Sequence, residues 1–318
     1  MIFRLLSVIA TACLAFAGAA NAQGKAEVFW YSQAAFKITT PGGKVIMIDP
    51  WIMGATKIPP ELKDLGKIGK VDLVLVTHGH GDHLGDAIEI SKTNNAPLWA
   101  PAGLNQMLLT LGLMPANLVP RMNKGGIIEP FPGVKITMVR AEHSSEMLLK
   151  DPATGKNVTY SAGEPAGFII ELENGFKIYH MGDTGLFGDM KLIGDYYKPD
   201  LLLVPIGGHY VMNPKDAAYA TKELIKPKMA WPMHYASNPF LKGTPAEYKA
   251  AMGQTSIQIL DMNPGDKKTF SAGGAPPDDN AQPAEALPLA APPAEKAAPP
   301  APSALPGVAP APAGAVTP

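Results

Sequence analysis

Three histidines and an aspartate fall within six positions of one short stretch, Thr77-His78-Gly79-His80-Gly81-Asp82-His83-Leu84-Gly85-Asp86. Neutral imidazole and carboxylate are the donors that suit zinc and similar divalent ions. His78 and His80 stand two apart, so they converge only from an extended or looped backbone. The other histidines do not scatter: His143, His209 and His234 each follow an expected strand by a few residues, and Asp183 does so in a Gly-Asp-Thr-Gly turn. Side chains at strand ends are held by a rigid scaffold while their loops converge above it, which is what a metal site requires.

The elements that must position these groups are legible from patterning. Residues 71–76 form an apolar run that reads as a buried strand feeding the histidine loop. Strands are expected at 28–31, 35–39 and 44–48, the last ending in Asp49-Pro50-Trp51. One helix is expected over 82–91 and another over 104–111, with strands at 125–129 and 134–140. Residues 144–163 are polar and read as one long loop, a candidate lid. Beyond it come a hairpin turning at Glu173-Asn174-Gly175, a buried strand at 201–205, a helix from Pro214 to Leu224 capped by Asn213, a short strand at 228–231, and a last helix with Thr244 and Glu247 at capping-box spacing. Sheets covered by helices are the architecture this order implies.

Composition bounds the rest. Residues 1–22 have a basic start at Arg4, an apolar stretch and an Ala20-Asn21-Ala22 ending, the pattern of a secretory signal. The protein is therefore expected to be exported, to the periplasm or beyond, without stable membrane insertion after cleavage. Cys13 is the only cysteine, so the mature chain would hold neither disulfide nor thiolate ligand. Net charge is −1 with no basic run, which disfavours nucleic acid as a partner and leaves a small molecule as the expected one. Residues 272–318 are Pro- and Ala-rich without apolar period, a composition expected to stay disordered. The folded part, 23–271, suits one large α/β domain. Oligomeric state is not readable.

The ordered series His-x-His-x-Asp-His, distant His, Gly-Asp-Thr, last His resembles the metallo-β-lactamase superfamily. The phrases around Met181-Gly182-Asp183-Thr184-Gly185-Leu186-Phe187, Pro205-Ile206-Gly207-Gly208-His209 and Pro232-Met233-His234-Tyr235 resemble its branch of metal-dependent hydrolases near the ascorbate-phosphate lactonases. The resemblance implies a four-layer αβ/βα sandwich. It implies two cations, zinc foremost with manganese or iron as alternatives: His78, His80 and His143 on the first, Asp82, His83 and His234 on the second, Asp183 between them. Asp49 resembles a carboxylate that orients a loop imidazole from behind. The implied reaction is attack by a metal-bound hydroxide on a small ester, lactone or phosphoester, with Asp82 holding the nucleophile's proton. β-Lactam hydrolysis, iron-dependent redox chemistry and metal binding without catalysis stand as alternatives. His209 reads equally as a group donating to substrate and as a structural histidine beside the site. His180 reads as structural, Met107, Met114 and Met122 as packing, and Trp51, Trp231 and Tyr235 as core or pocket lining. Gln33 stands where that branch often carries a histidine.

Overall fold

The computed structural model describes residues 24–151 and 154–272. The expected signal segment and, apart from Ala272, the Pro/Ala-rich tail lie outside the described residues. In chain order the strands are β1 (Ala26–Ser32), β2 (Ala35–Thr39), β3 (Val45–Ile48), β4 (Leu73–Leu75), β5 (Leu98–Pro101), β6 (Arg121–Met122), β7 (Ile127–Phe131) and β8 (Val134–Arg140). They continue as β9 (Glu146–Lys150), β10 (Asn157–Ser161), β11 (Ala166–Glu171), β12 (Lys177–His180), β13 (Leu201–Pro205), β14 (Met229–Met233), β15 (Gln258–Ile259) and β16 (Lys267–Phe270). Two seven-stranded sheets result, ordered β16-β1-β2-β3-β4-β5-β6 and β15-β14-β13-β12-β11-β8-β7.

Side-chain alternation explains the layering. Along β13, Leu201 and Leu203 enter a core shared with Phe36, Ile38 and Ile46 of the other sheet, while Leu202 and Val204 face the opposite way. Strands buried on both faces read as continuous apolar runs, because successive side chains point to opposite sides and both sides are dry. The outer face of the first sheet is covered by α2 (Ala87–Asn94) and α3 (Ala102–Thr110), through Ile90, Leu104 and Leu108. The outer face of the second is covered by α4 (Met190–Tyr197), α5 (Pro214–Tyr219) and α6 (Pro245–Met252), through Ile193, Ala217 and Tyr248. This is the expected helix–sheet–sheet–helix sandwich. Among the described residues no helix is long and apolar enough to cross a membrane.

Several local expectations need correction. The helix expected over 82–91 is two: α1 (Gly81–Leu84) and α2, broken at Gly85. Gly85 has φ 36°, and a Cβ there would lie 2.7 Å from Trp51 Cα and 2.8 Å from the Pro50 carbonyl. The break lets Asp86 accept the backbone N–H groups of Ile52 (2.7 Å) and Met53 (2.9 Å). Gly85→Ala is expected to cost about 1–3 kcal/mol, from overpacking and an unfavourable φ, read as a lower denaturant midpoint.

The long loop expected at 144–163 folds as the β9–β10 hairpin, with Met147 opposite Tyr160 and Leu149 opposite Val158. Only every second residue of β9 turns inward, and the residue between Met147 and Leu149 is the exposed Leu148, which blurs the apolar period. The helix from Pro214 leaves α geometry at Ala220 and runs on as a π-helical turn to Ile225. Helix α4 was not anticipated. The two designed-looking caps are as expected: Asn213 Oδ1 accepts from Lys215 and Asp216, and Thr244 with Glu247 forms a full capping box.

Candidate metal centre

Strands β3, β4 and β5 run parallel, as do β12, β13 and β14. Strand β8 is antiparallel to β11 and β11 to β12, so β8 runs with β12. The carboxyl ends of β3, β4, β8, β12 and β14 therefore deliver Asp49, the histidine loop, His143, Asp183 and His234 to one region. Crevices outside the carboxyl ends of parallel strands are where open α/β sheets bind ligands. The backbone is bent to suit: Gln33, Asp49, His209 and His234 are all left-handed, with φ of 52°, 45°, 58° and 56°. Non-glycine residues tolerate this at a cost and concentrate at functional sites.

Seven side chains gather there. His78 Nε2 lies 3.0 Å from His80 Nδ1, and His143 Nε2 lies 3.3 Å from the same atom. On the other side His83 Nε2 and His234 Nε2 are 3.3 Å apart, with Asp82 Oδ2 3.4 Å from His234 Nε2. Asp183 joins the two groups. Its Oδ1 is 3.2 Å from His83 Nε2 and 3.0 Å from His234 Nε2, and its Oδ2 is 3.5 Å from His143 Nε2. The triads His78–His80–His143 and Asp82–His83–His234 each bring one donor atom per residue within 4.8 Å of the others.

Hydrogen bonds behind the cluster set the orientation of the rings. Asp49 Oδ1 accepts the Thr77 N–H at 2.7 Å, and Asp49 Oδ2 accepts the Thr77 hydroxyl at 2.7 Å. Asp49 Oδ2 also lies 2.7 Å from His83 Nδ1, whose N–H it accepts. Because the Thr77 hydroxyl proton is committed to Asp49, the Thr77 oxygen is left to accept from His78 Nδ1 at 3.0 Å. His80 Nε2 donates to Glu146 Oε2 at 3.0 Å, from the β9–β10 hairpin. Each of these three rings thus spends one N–H outward and turns its other nitrogen inward, the arrangement that outer partners impose on metal-binding histidines. Buried nitrogens facing one another at about 3 Å need a shared proton or a shared cation between them. The donor set fits a divalent ion.

Electrostatics agrees. Burial pushes the His78 imidazole well below its ordinary value, with the neighbouring His83 adding to the shift. Burial also opposes charge on His83, but Asp183, Asp49 and Asp82 outweigh it and hold that ring well above the ordinary range. His234 is likewise disfavoured by burial, yet Asp183 and Asp82 raise it to about 9. Burial would raise the Asp183 carboxyl; His234 and His83 overcome it and keep it well below the usual carboxylate range. Asp82 is low for the same reason, burial opposing and His83 and His234 prevailing.

A cleft of about 600 Å³ opens onto this cluster. Trp51, Thr56, Ser144, Tyr210, Ser237 and Asn238 form its walls beside His80, Asp82, His143, Asp183 and His234. His209 is not among them. Its ring stacks on Phe240 at 5.0 Å and lines a neighbouring recess with Asn213 and Lys242, while Tyr210, the next residue, reaches the cleft. His180 is buried with Nε2 donating to the Ala34 carbonyl, as a structural histidine should be. Trp231 is core. Thr77, Ser144, Glu146 and Tyr210 were not singled out by the sequence reading. Thr77 sits next to the motif and could have been found there; Glu146 carries no local signal.

The geometry is matched by relationship. The family model described as a beta-lactamase superfamily domain matches residues 44–235. The chain belongs to the metallo-β-lactamase superfamily. Within that superfamily it is 55% identical over 266 residues to a UPF0173 metal-dependent hydrolase of Polaromonas sp., covering 84% of this chain and 97% of that one. A UPF0173 metal-dependent hydrolase of Cupriavidus necator is 56% identical over 250 residues, covering 78% and 86%. The structure of a metallo hydrolase from the archaeon Ignicoccus hospitalis superposes with a TM-score of 0.66 at 34% identity, covering 77% of this chain and 98% of that one. This superfamily member is thus a metal-dependent hydrolase, with a His/Asp cluster able to hold metal ions.

Proposed function

We propose that the protein is a two-cation hydrolase of a small ester, lactone or phosphoester, zinc being the cation its donors suit best. The observation that carries this is Asp183: its two oxygens face different halves of the cluster, Oδ1 toward His83 and His234 and Oδ2 toward His143. A carboxylate is the one side chain here that can join two cations. His78, His80 and His143 would hold one, and Asp82, His83 and His234 would hold the other. Bound cations of this kind lower the pKa of water from 15.7 to about 7 and polarise the substrate oxygen.

The chain's own residues do the rest. Asp49, Thr77 and Glu146 keep the rings turned inward. Asp82 is partly exposed and borders the cleft. Held far below the usual carboxylate range, it stays ionised and accepts a hydrogen bond from the attacking water. The cleft walls offer hydroxyls from Thr56, Ser144, Tyr210 and Ser237, the Asn238 amide and the Trp51 ring, which suits a small polar substrate. The likeness to the Polaromonas and Cupriavidus hydrolases supports the reaction class. The signal-like segment supports action outside the cytoplasm.

Metal analysis of the purified protein, followed by lactone, phosphodiester and β-lactam panels, tests this reading. Two zinc equivalents with lactone or ester turnover support it. Two irons with redox activity, or tight zinc without turnover on any panel, overturn it.

Cation uptake should also release protons. In the metal-free protein His83 is held above its ordinary value of 6.5 and His234 is raised to about 9. Their contribution to metal-free stability is complete below 6.5 and is lost as pH rises through the raised values, about 9 for His234. Metal affinity should therefore climb across the same window, because the competing protons leave. Calorimetry at pH 7 in buffers of different ionisation enthalpy is expected to show about one to two protons released. A binding enthalpy independent of buffer would contradict this.

A further inference from the structure

Gln33 lies in the turn between β1 and β2, 2% exposed and left-handed at φ 52°. Its carbonyl is held from two sides, accepting from Trp30 Nε1 at 3.1 Å and from the backbone N–H of His234 at 3.2 Å. The pinned backbone drives the side chain into the cluster. There Nε2 donates to Asp82 Oδ2 at 2.8 Å and lies 2.8 Å from His234 Nε2. Gln33 Oε1 and His234 Nδ1 are both buried without a hydrogen-bond partner. His234 thus lacks the outer acceptor that Thr77, Glu146 and Asp49 give to His78, His80 and His83.

We propose that Gln33 is the positioning residue of the Asp82–His83–His234 half of the centre, its carboxamide fixing Asp82 and its backbone carbonyl fixing His234 for the cation they share. This rests on the reading that the second half binds a cation. A carboxylate such as Asp82 can swing about its own χ angles, and the Gln33 N–H fixes which oxygen faces the site. A lysine or arginine could also hold Asp82, but its charge would repel a cation. The neutral amide orients the carboxylate without that repulsion. In place of an outer acceptor on its ring, His234 is located through its backbone N–H, which the Gln33 carbonyl accepts at 3.2 Å.

The test is zinc titration, by calorimetry, of the metal-stripped full-length protein. Wild type is expected to take two equivalents. Gln33→Leu removes both N–H groups at similar volume and is expected to weaken the second equivalent about 10- to 100-fold, leaving the first within about twofold. Gln33→Glu keeps the reach but sets an anionic acceptor against Asp82, and is also expected to weaken the second equivalent. Melting of the metal-free variants within a few degrees of wild type separates lost positioning from lost folding. Should Gln33→Leu melt early, Gln33→Asn, which keeps an amide but stops short of Asp82, carries the same expectation. An unchanged second equivalent in these variants overturns the role, and tighter binding in Gln33→Glu would make position 33 a ligand position instead. A wild type that takes only one equivalent removes the two-cation reading and this role together. Two equivalents held equally by wild type and Gln33→Leu removes this role alone.

Discussion

Asp183→Asn is expected to abolish most activity, lowering kcat/KM on any ester or lactone substrate by on the order of 10³-fold, about 4 kcal/mol. The reason is geometric. Asp183 is 3% exposed and is the one acid that reaches both halves of the cluster, at 3.0 Å from His234 Nε2 and 3.5 Å from His143 Nε2. Asparagine keeps the volume but replaces one oxygen by an amino group that cannot bind a cation. It also removes the charge that counterbalances His83 and His234 in the metal-free protein, so both rings should titrate lower. Zinc content should fall together with activity. Full turnover at one zinc per chain would end the case for a joining role.

Asp49→Ala is expected to produce the largest loss of stability, about 3–5 kcal/mol, because it strands three buried donors at once. Asp49 is fully buried and accepts from the Thr77 N–H, the Thr77 hydroxyl and His83 Nδ1, each at 2.7 Å. The freed Thr77 hydroxyl no longer has its acceptor, so the His78 ring loses its fixed orientation as well. Asp49→Asn should be milder in folding, yet still weaken zinc binding about 10- to 100-fold. Urea denaturation with and without zinc separates the two effects. A metal-free midpoint close to wild type for Asp49→Ala would refute the account.

The fold was legible where hydrophobic period is strong. The runs at 71–76 and 201–205 and the capped helices at Asn213 and Thr244 lie where expected. It was illegible where an exposed apolar residue interrupts the alternation of a short strand, as Leu148 does in the β9–β10 hairpin, or where a glycine breaks a helix because a distant segment packs on it. Gly85 is such a case: its neighbours are Pro50 and Trp51. In the site, the sequence placed His78, His80, Asp82 and His83 together because they are adjacent. His209 shows the limit, since one left-handed residue turned the chain and presented Tyr210 to the cleft instead.

By itself, then, the sequence determined the donor types, their order along the chain and their places at strand ends. Those properties are local, set by residue chemistry and by the two-residue and 3.6-residue periods. Only the tertiary structure decided that Asp183 faces both halves, that Glu146 reaches His80 across 66 positions, and that Gln33 meets Asp82 and His234 from 49 and 201 positions away. Such contacts depend on strand order and on left-handed turns that bring distant segments to one edge. Nothing local in a glutamine or a glutamate records that placement.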